Sequence, residues 1–63
     1  MIGAIVLIMN FGYYEGCKGI VTRIEPVPGY NTDMTVVRTV RCPNGDQYKW
    51  IAGIPSKYLA VLK

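Results

Sequence analysis

Aromatic and basic side chains are the parts of this sequence whose chemistry suits a ligand. Tyr13 and Tyr14 stand side by side in a glycine-punctuated segment. Aromatic rings in such a segment can stack on nucleic-acid bases, at about 1–3 kcal/mol per base. The candidate phosphate-binding residues are Lys18, Arg23, Arg38, Arg41, Lys49 and Lys57. The simpler alternatives are that one tyrosine caps the core and that the cations form an ordinary solvated surface.

One turn predicts how two of these cations are brought together. In Pro43-Asn44-Gly45, the proline presets the first turn dihedral and the glycine accepts a positive φ, as in a hairpin with a three-residue loop. The register that follows sets Arg41 opposite Gln47 and Arg38 opposite Trp50. One strand face would then be polar and basic and consist of Thr39, Arg41, Gln47 and Lys49. The other would be a core face and consist of Val36, Val40, Tyr48 and Trp50.

Catalytic chemistry has little support in this composition. The chain has no histidine, so a Ser-His-Asp or Cys-His constellation cannot be built within it. Its four carboxylate side chains are scattered along the sequence. We therefore predict a protein that is not an enzyme, with no catalytic residues and no cofactor.

The two cysteines, Cys17 and Cys42, are too few for a structural zinc site, which normally has four Cys or His ligands. We expect no metal site. Nothing in the sequence indicates an oxidising compartment, so free and partly buried thiols are predicted, with a single disulfide as the alternative.

Length and charge bound the class of protein. The chain has 63 residues and a net charge of +3, which favours a single domain over residues 1–63 and a polyanionic or acidic partner. The apolar start, residues 1–9, is shorter than the roughly 20 residues of a membrane span. It also lacks the basic start and the small-residue cleavage site of a secretory signal. We predict a cytoplasmic protein that does not bind a membrane.

Short β-rich runs separated by turn residues make up the rest of the pattern. Strands are predicted at residues 5–9, 18–25, 34–42, 46–51 and 59–62. Residues 26–33 hold two prolines, a glycine and two Asx residues, and are predicted to be a loop and the most mobile segment. Residues 55–58 suit a 3₁₀ turn. No segment shows a sustained helical period, so the predicted class is all-β.

Two segments resemble SH3-like barrels. Residues 5–24, with Gly12, Gly16 and Gly19 at sharp turns between two strands, resemble the KOW motif. Residues 53–59, Gly-Ile-Pro-Ser-Lys-Tyr-Leu, resemble the Pro-Ser-Asn-Tyr-Val turn before the last strand of peptide-binding SH3 domains. The two segments cover about half of the chain and occur in the family's order. The resemblance implies a five-stranded SH3-like barrel with a short 3₁₀ turn before its last strand.

This sequence departs from peptide-binding SH3 domains at two points. Their first long loop carries an acidic cluster that pairs with arginine in proline-rich ligands, whereas this loop has only Glu15. The asparagine of the family's turn is Lys57 here. In an SH3-like geometry, Trp50, Pro55 and Tyr58 would line a shallow aromatic groove. We expect Trp50 and Tyr58 to be core or half-core residues first and ligand contacts second.

The resemblance to KOW-like modules implies binding to nucleic acid, DNA or RNA, or to transcription and translation machinery. The first loop and a basic hairpin face would make the contacts. The expected binding residues are Tyr13, Tyr14, Lys18, Arg41, Lys49, Trp50, Lys57 and Tyr58. The alternative is an accessory protein of phage or mobile-element type that binds and modulates a host protein through an aromatic surface. A third possibility is a structural oligomer with the apolar first strand at its interface. The oligomeric state stays open.

Overall fold

The chain folds as one five-stranded antiparallel sheet. The structure, a computed structural model, describes residues 2–29 and 33–63. Its strands are β1 (Ile5–Ile8), β2 (Lys18–Pro26), β3 (Asp33–Arg41), β4 (Gln47–Pro55) and β5 (Leu59–Val61). They follow the order β4-β3-β2-β1-β5, and every pair is antiparallel. The predicted all-β class is therefore confirmed, and no α-helix occurs in the described ranges.

Two 3₁₀ turns lie between the strands, at Gly12–Tyr14 and at Ser56–Tyr58. The second confirms the turn predicted before the last strand. Thr35, which is fully buried in β3, shares a hydrogen bond of 2.9 Å with the Ser56 hydroxyl. Ser56 also donates to the backbone carbonyl of Asp33 at 3.4 Å. These bonds tie the second 3₁₀ turn to the start of β3.

The β3–β4 hairpin has the predicted turn and register. Gly45 has φ of 94°, and its backbone N–H donates to the Cys42 carbonyl at 3.0 Å. The Asn44 side chain accepts from the Asp46 N–H at 3.0 Å, which fixes the turn locally. Arg41 pairs with Gln47, as predicted from this turn.

The predicted core face of this hairpin is partly wrong, because β-bulges change which side chains point inward. The β2–β3 register shifts between Lys18 and Ile20, where Thr39 of β3 adopts φ of 54°. A bulge reverses the alternation of the side chains beyond it. Val37 and Val40 are consequently both fully buried, although they are three positions apart. Trp50, predicted to be core, is 65% exposed.

Of the other predicted core-face residues, Val36 is only half-buried, whereas Tyr48 packs against the core. The core itself is small and consists mainly of branched aliphatic side chains. It comprises Val6, Ile8, Cys17, Val21, Val37, Val40, Ile51 and Ile54. A chain of this size buries only roughly 60% of the surface that its unfolded form exposes, so crosslinks and close packing matter for its stability.

A disulfide joins Cys17 to Cys42, so the prediction of free thiols is wrong. Cys17 immediately precedes β2 and Cys42 immediately follows β3. Because Lys18 and Arg41 are register partners, the cysteines next to them lie opposite each other, with Cα atoms 4.1 Å apart. The sequence alone did not predict the pairing of β2 with β3 residue by residue, so it could not bring these two thiols together.

The predicted loop at residues 26–33 is shorter than expected, because Pro26 ends β2 and Asp33 begins β3. The two strands pair as far as these two residues. The mobility predicted for residues 26–33 stays a prediction, and residues 30–32 of this segment lie outside the described residues.

Candidate functional site

Four aromatic rings form a connected cluster at the first 3₁₀ turn. Phe11 lies at its centre, with ring centroids 5.3 Å from Tyr58 and 6.3 Å from Tyr14. Tyr14 in turn meets Tyr48 of β4 edge-to-face at 5.5 Å. Edge-to-face and tilted pairs at such separations add stability beyond their buried area. We call Phe11, Tyr14, Tyr48 and Tyr58 the aromatic cluster.

Burial separates the two neighbouring tyrosines of the first loop. Tyr14 is half-buried and packs against the core, whereas Tyr13 is 89% exposed. A backbone hydrogen bond stabilises the 3₁₀ turn that contains both tyrosines, since the Tyr14 N–H donates to the Phe11 carbonyl at 3.1 Å. The Tyr14 ring therefore anchors the loop to the core, and the Tyr13 ring is exposed to solvent.

Three cations lie next to the aromatic cluster, on neighbouring strands. Lys18 of β2 is the register partner of Arg41 of β3, and Arg41 is the partner of Gln47 on β4. Arg41 also lines a groove of about 410 Å³ together with Lys49. All three cations are exposed. We call Lys18, Arg41 and Lys49 the basic row.

No acidic side chain of the described residues lines that groove. Its walls are Thr39, Val40, Arg41, Gln47, Tyr48 and Lys49. The polar hairpin face predicted from the turn therefore lies in one place, with Thr39, Arg41, Gln47 and Lys49 around a common groove. Lys18 extends it, because it lines a second small groove with Thr39 and Arg41.

Tyr48 joins the aromatic cluster to the basic row. Its ring meets the Tyr14 ring, and Tyr48 is also a lining residue of the groove that holds Arg41 and Lys49. Partial burial raises the pKa of the Tyr48 hydroxyl above its usual 10.0, and the nearby Asp46 carboxylate and the Tyr14 and Tyr13 phenols raise it further. Tyr48 is therefore a neutral hydrogen-bonding group at physiological pH.

The disulfide fixes the first loop beside the hairpin. It links the last residue of the tyrosine loop to the residue before the hairpin turn. Gly16, with φ of 83°, lies so close to Pro43 that a Cβ atom there would be 3.2 Å from the proline Cγ. The Tyr13-Tyr14 segment and the basic row are thus held together by a covalent bond and a close backbone approach.

The remaining predicted site residues lie in two other places. Lys57 places its Nζ 5.2 Å from the centroid of the Tyr58 ring, at the far end of the aromatic cluster. Trp50 lines a groove with Val36 and Arg38, and the lining of this groove includes neither Pro55 nor Tyr58. This groove therefore differs from the predicted grouping of Trp50 with Pro55 and Tyr58.

Sequence reasoning missed Phe11 and Tyr48 as site residues. The register predicted from the turn places Tyr48 on the core face, and Phe11 belongs to the segment between the first two predicted strands. The signal that could have found Phe11 is its place two residues before a Tyr-Tyr pair. Only its packing against Tyr58, a residue distant in sequence, makes it the centre of the cluster.

Neither a metal-binding cluster nor a membrane-spanning helix occurs among the described residues. They contain no group of three or more His, Cys, Asp or Glu side chains placed to hold a metal ion. In the same ranges, none of the helical turns has the length and apolar character needed to cross a bilayer. Comparison of the chain with protein-family models, with curated proteins and with solved structures found no match.

Proposed function

We propose that this protein is a non-catalytic nucleic-acid-binding module, and that the basic row and Tyr13 make the principal contacts. The observation that carries the proposal is the basic row itself. Lys18, Arg41 and Lys49 lie exposed on neighbouring strands, and the exposed Tyr13 belongs to the loop that the Cys17–Cys42 bond ties to the end of β3. Phosphates suit the cations, and a base suits the ring.

The cross-strand pairing of Lys18 with Arg41 supports an anionic ligand. Like charges directly opposite each other on neighbouring strands destabilise a sheet. The ion pair found among the described residues joins Arg23 to Glu25. In this part of the chain, no carboxylate therefore forms an ion pair with Lys18 or Arg41. A bound phosphate would relieve this repulsion.

We further propose that the sheet closes as an SH3-like barrel of the KOW-like type. Three observations support it: the strand order β4-β3-β2-β1-β5, the 3₁₀ turn directly before β5, and the hydrogen bond that ties this turn to β3. A cytoplasmic location stays part of the proposal. Because a reducing cytosol opens most disulfides, this location requires that the Cys17–Cys42 bond, which holds the tyrosine loop beside the hairpin, resist reduction there.

Salt dependence of binding tests the function. We expect the affinity for a fluorescently labelled oligonucleotide, measured by anisotropy, to fall as salt rises. Three phosphate contacts on a single strand give a log–log slope of about −2, or a roughly 20-fold loss between about 50 and about 200 mM salt. Changing Lys18, Arg41 or Lys49 to Ala should each reduce the slope by about 0.7.

Two controls make this test specific. Lys63→Ala removes the same charge outside the groove linings and should leave the slope unchanged. Arg41→Lys keeps the charge and should retain most of the slope. Equal effects of Lys63→Ala and Arg41→Ala would show that only net charge matters and would contradict the proposed site.

A host protein is the alternative partner, and the exposed Tyr13 and Trp50 rings favour it. Aromatic contacts with a protein depend weakly on salt. Salt-insensitive binding to a protein, with no binding to DNA or RNA, would replace the proposed function with this one.

A further inference from the structure

Trp50 lines a second groove, separate from the groove of about 410 Å³ beside the basic row. The groove has a volume of about 580 Å³ and lies over β2, β3 and β4. Its lining consists of Thr22, Arg23, Val36, Arg38, Lys49, Trp50 and Ala52. The indole is 65% exposed, and small or half-buried apolar side chains form the floor beside it. A flat ring exposed in a shallow apolar groove is a stacking platform for another flat ring.

The charges around this indole select the kind of molecule that would stack on it. Arg38 is the register partner of Trp50, and Lys49 is its neighbour in the chain. Arg23 also lines the groove, but its guanidinium already forms an ion pair with Glu25. No acidic side chain of the described residues lines the groove. Two available cations beside an aromatic ring complement a ligand that carries both a base and phosphates.

Lys49 connects this groove with the basic row. Lys49 lines both grooves, so a chain of phosphates that leaves Arg41 meets Lys49 and then Arg38. A ligand that follows this path runs from β3 to the edge strand β4 and back to β3. Such a curved path suits a flexible strand.

We propose that the ligand of this protein is single-stranded nucleic acid, and that one unpaired base stacks on Trp50 while Arg38 and Lys49 hold the flanking phosphates. The inference rests on the proposed function and specifies its ligand class. In a duplex, the faces of the bases are covered by their neighbours, so the indole could not reach one without disrupting the stack. An unpaired base exposes its face and is recognised by stacking in this way.

Intrinsic fluorescence tests the proposal directly, because Trp50 is the only tryptophan of the chain. We expect oligothymidylate to quench the Trp50 emission on titration at low salt. A blunt duplex hairpin of equal charge should quench it much less. Inorganic polyphosphate, which has phosphates but no bases, should not quench it.

Substitution of Trp50 gives the matching affinity measurement, by anisotropy of a labelled oligothymidylate. Trp50→Ala should weaken binding about 5- to 150-fold, the range expected for the loss of one stacked base. Trp50→Phe, which keeps an aromatic ring, should recover part of that affinity. Because the side chain is largely exposed, both variants should fold, as circular dichroism would check.

The outcomes separate this inference from the proposed function. Salt-dependent binding without quenching, and with Trp50→Ala as tight as wild type, would overturn the Trp50 platform but leave the basic row as the binding site. Equal quenching by polyphosphate or by duplex would also overturn it. Quenching by an acidic protein, with no binding to any nucleic acid, would overturn both.

Discussion

At the scale of single residues, Lys18 and Arg41 link the proposed function to a cost in stability. They are exposed cross-strand partners of like charge, and like charges directly opposite each other destabilise a sheet. We predict that Lys18→Gln raises the free energy of unfolding by a few tenths of a kcal/mol while it weakens oligonucleotide binding. Urea denaturation and anisotropy measure the two effects on the same variant.

Arg23→Gln is the matched comparison for this prediction. Arg23 forms an ion pair with Glu25, so its removal should not stabilise the fold. A Lys18→Gln variant that is less stable than wild type in urea would show that the Lys18–Arg41 repulsion is absent.

Local residue chemistry also determined what could be predicted from the sequence. The turn at Pro43 and Gly45 depends only on adjacent residues, so the register that places Arg41 opposite Gln47 followed from it. The exposure of Trp50 did not follow. It depends on the bulges, which reflect packing between strands that no local pattern describes.

At the scale of elements, Gly19 illustrates how distant packing sets these bulges. A Cβ atom at Gly19 would overlap the Val37 side chain and lie 3.1 Å from Val40 Cγ2. The β3 backbone thus packs directly onto a glycine of β2, with Thr39 in a left-handed conformation nearby. The sequence showed a glycine in a predicted strand, but not which strand would pack against it.

At the same scale, the Cys17–Cys42 disulfide joins the loop that carries Tyr13 and Tyr14 to the β3–β4 hairpin. It closes a loop with a sequence separation of 25. Loop-closure entropy then gives a stabilisation of about 3.5 kcal/mol. We predict that reduction lowers the denaturation midpoint markedly and weakens oligonucleotide binding, because Tyr13 is no longer held beside the basic row.

The Cys17→Ala/Cys42→Ala double variant is the control for this experiment. Its stability should match that of the reduced wild type and should not respond to reductant. An unchanged denaturation midpoint on reduction of the wild type would contradict a stabilising role for the bond.

At the scale of the whole molecule, the proposed binding surface extends from the first loop to the edge strand β4. The disulfide and the aromatic cluster anchor one end, and the Trp50 groove lies at the other. The sequence identified most of these side chains as ligand candidates. The sequence did not predict that these side chains form two surfaces, one that joins Tyr13 to the basic row and a second at Trp50. That division depends on strand order and bulges.

An amide NMR titration of the oxidised protein with single-stranded DNA at low salt tests the central claim most directly. We predict chemical-shift changes at Tyr13, Lys18 and Arg41, continuing through Lys49 to the Trp50 indole. Val61 and Leu62, exposed at the opposite edge of the sheet, should stay unchanged. No changes with any DNA or RNA, or changes confined to Val61 and Leu62, would contradict the account.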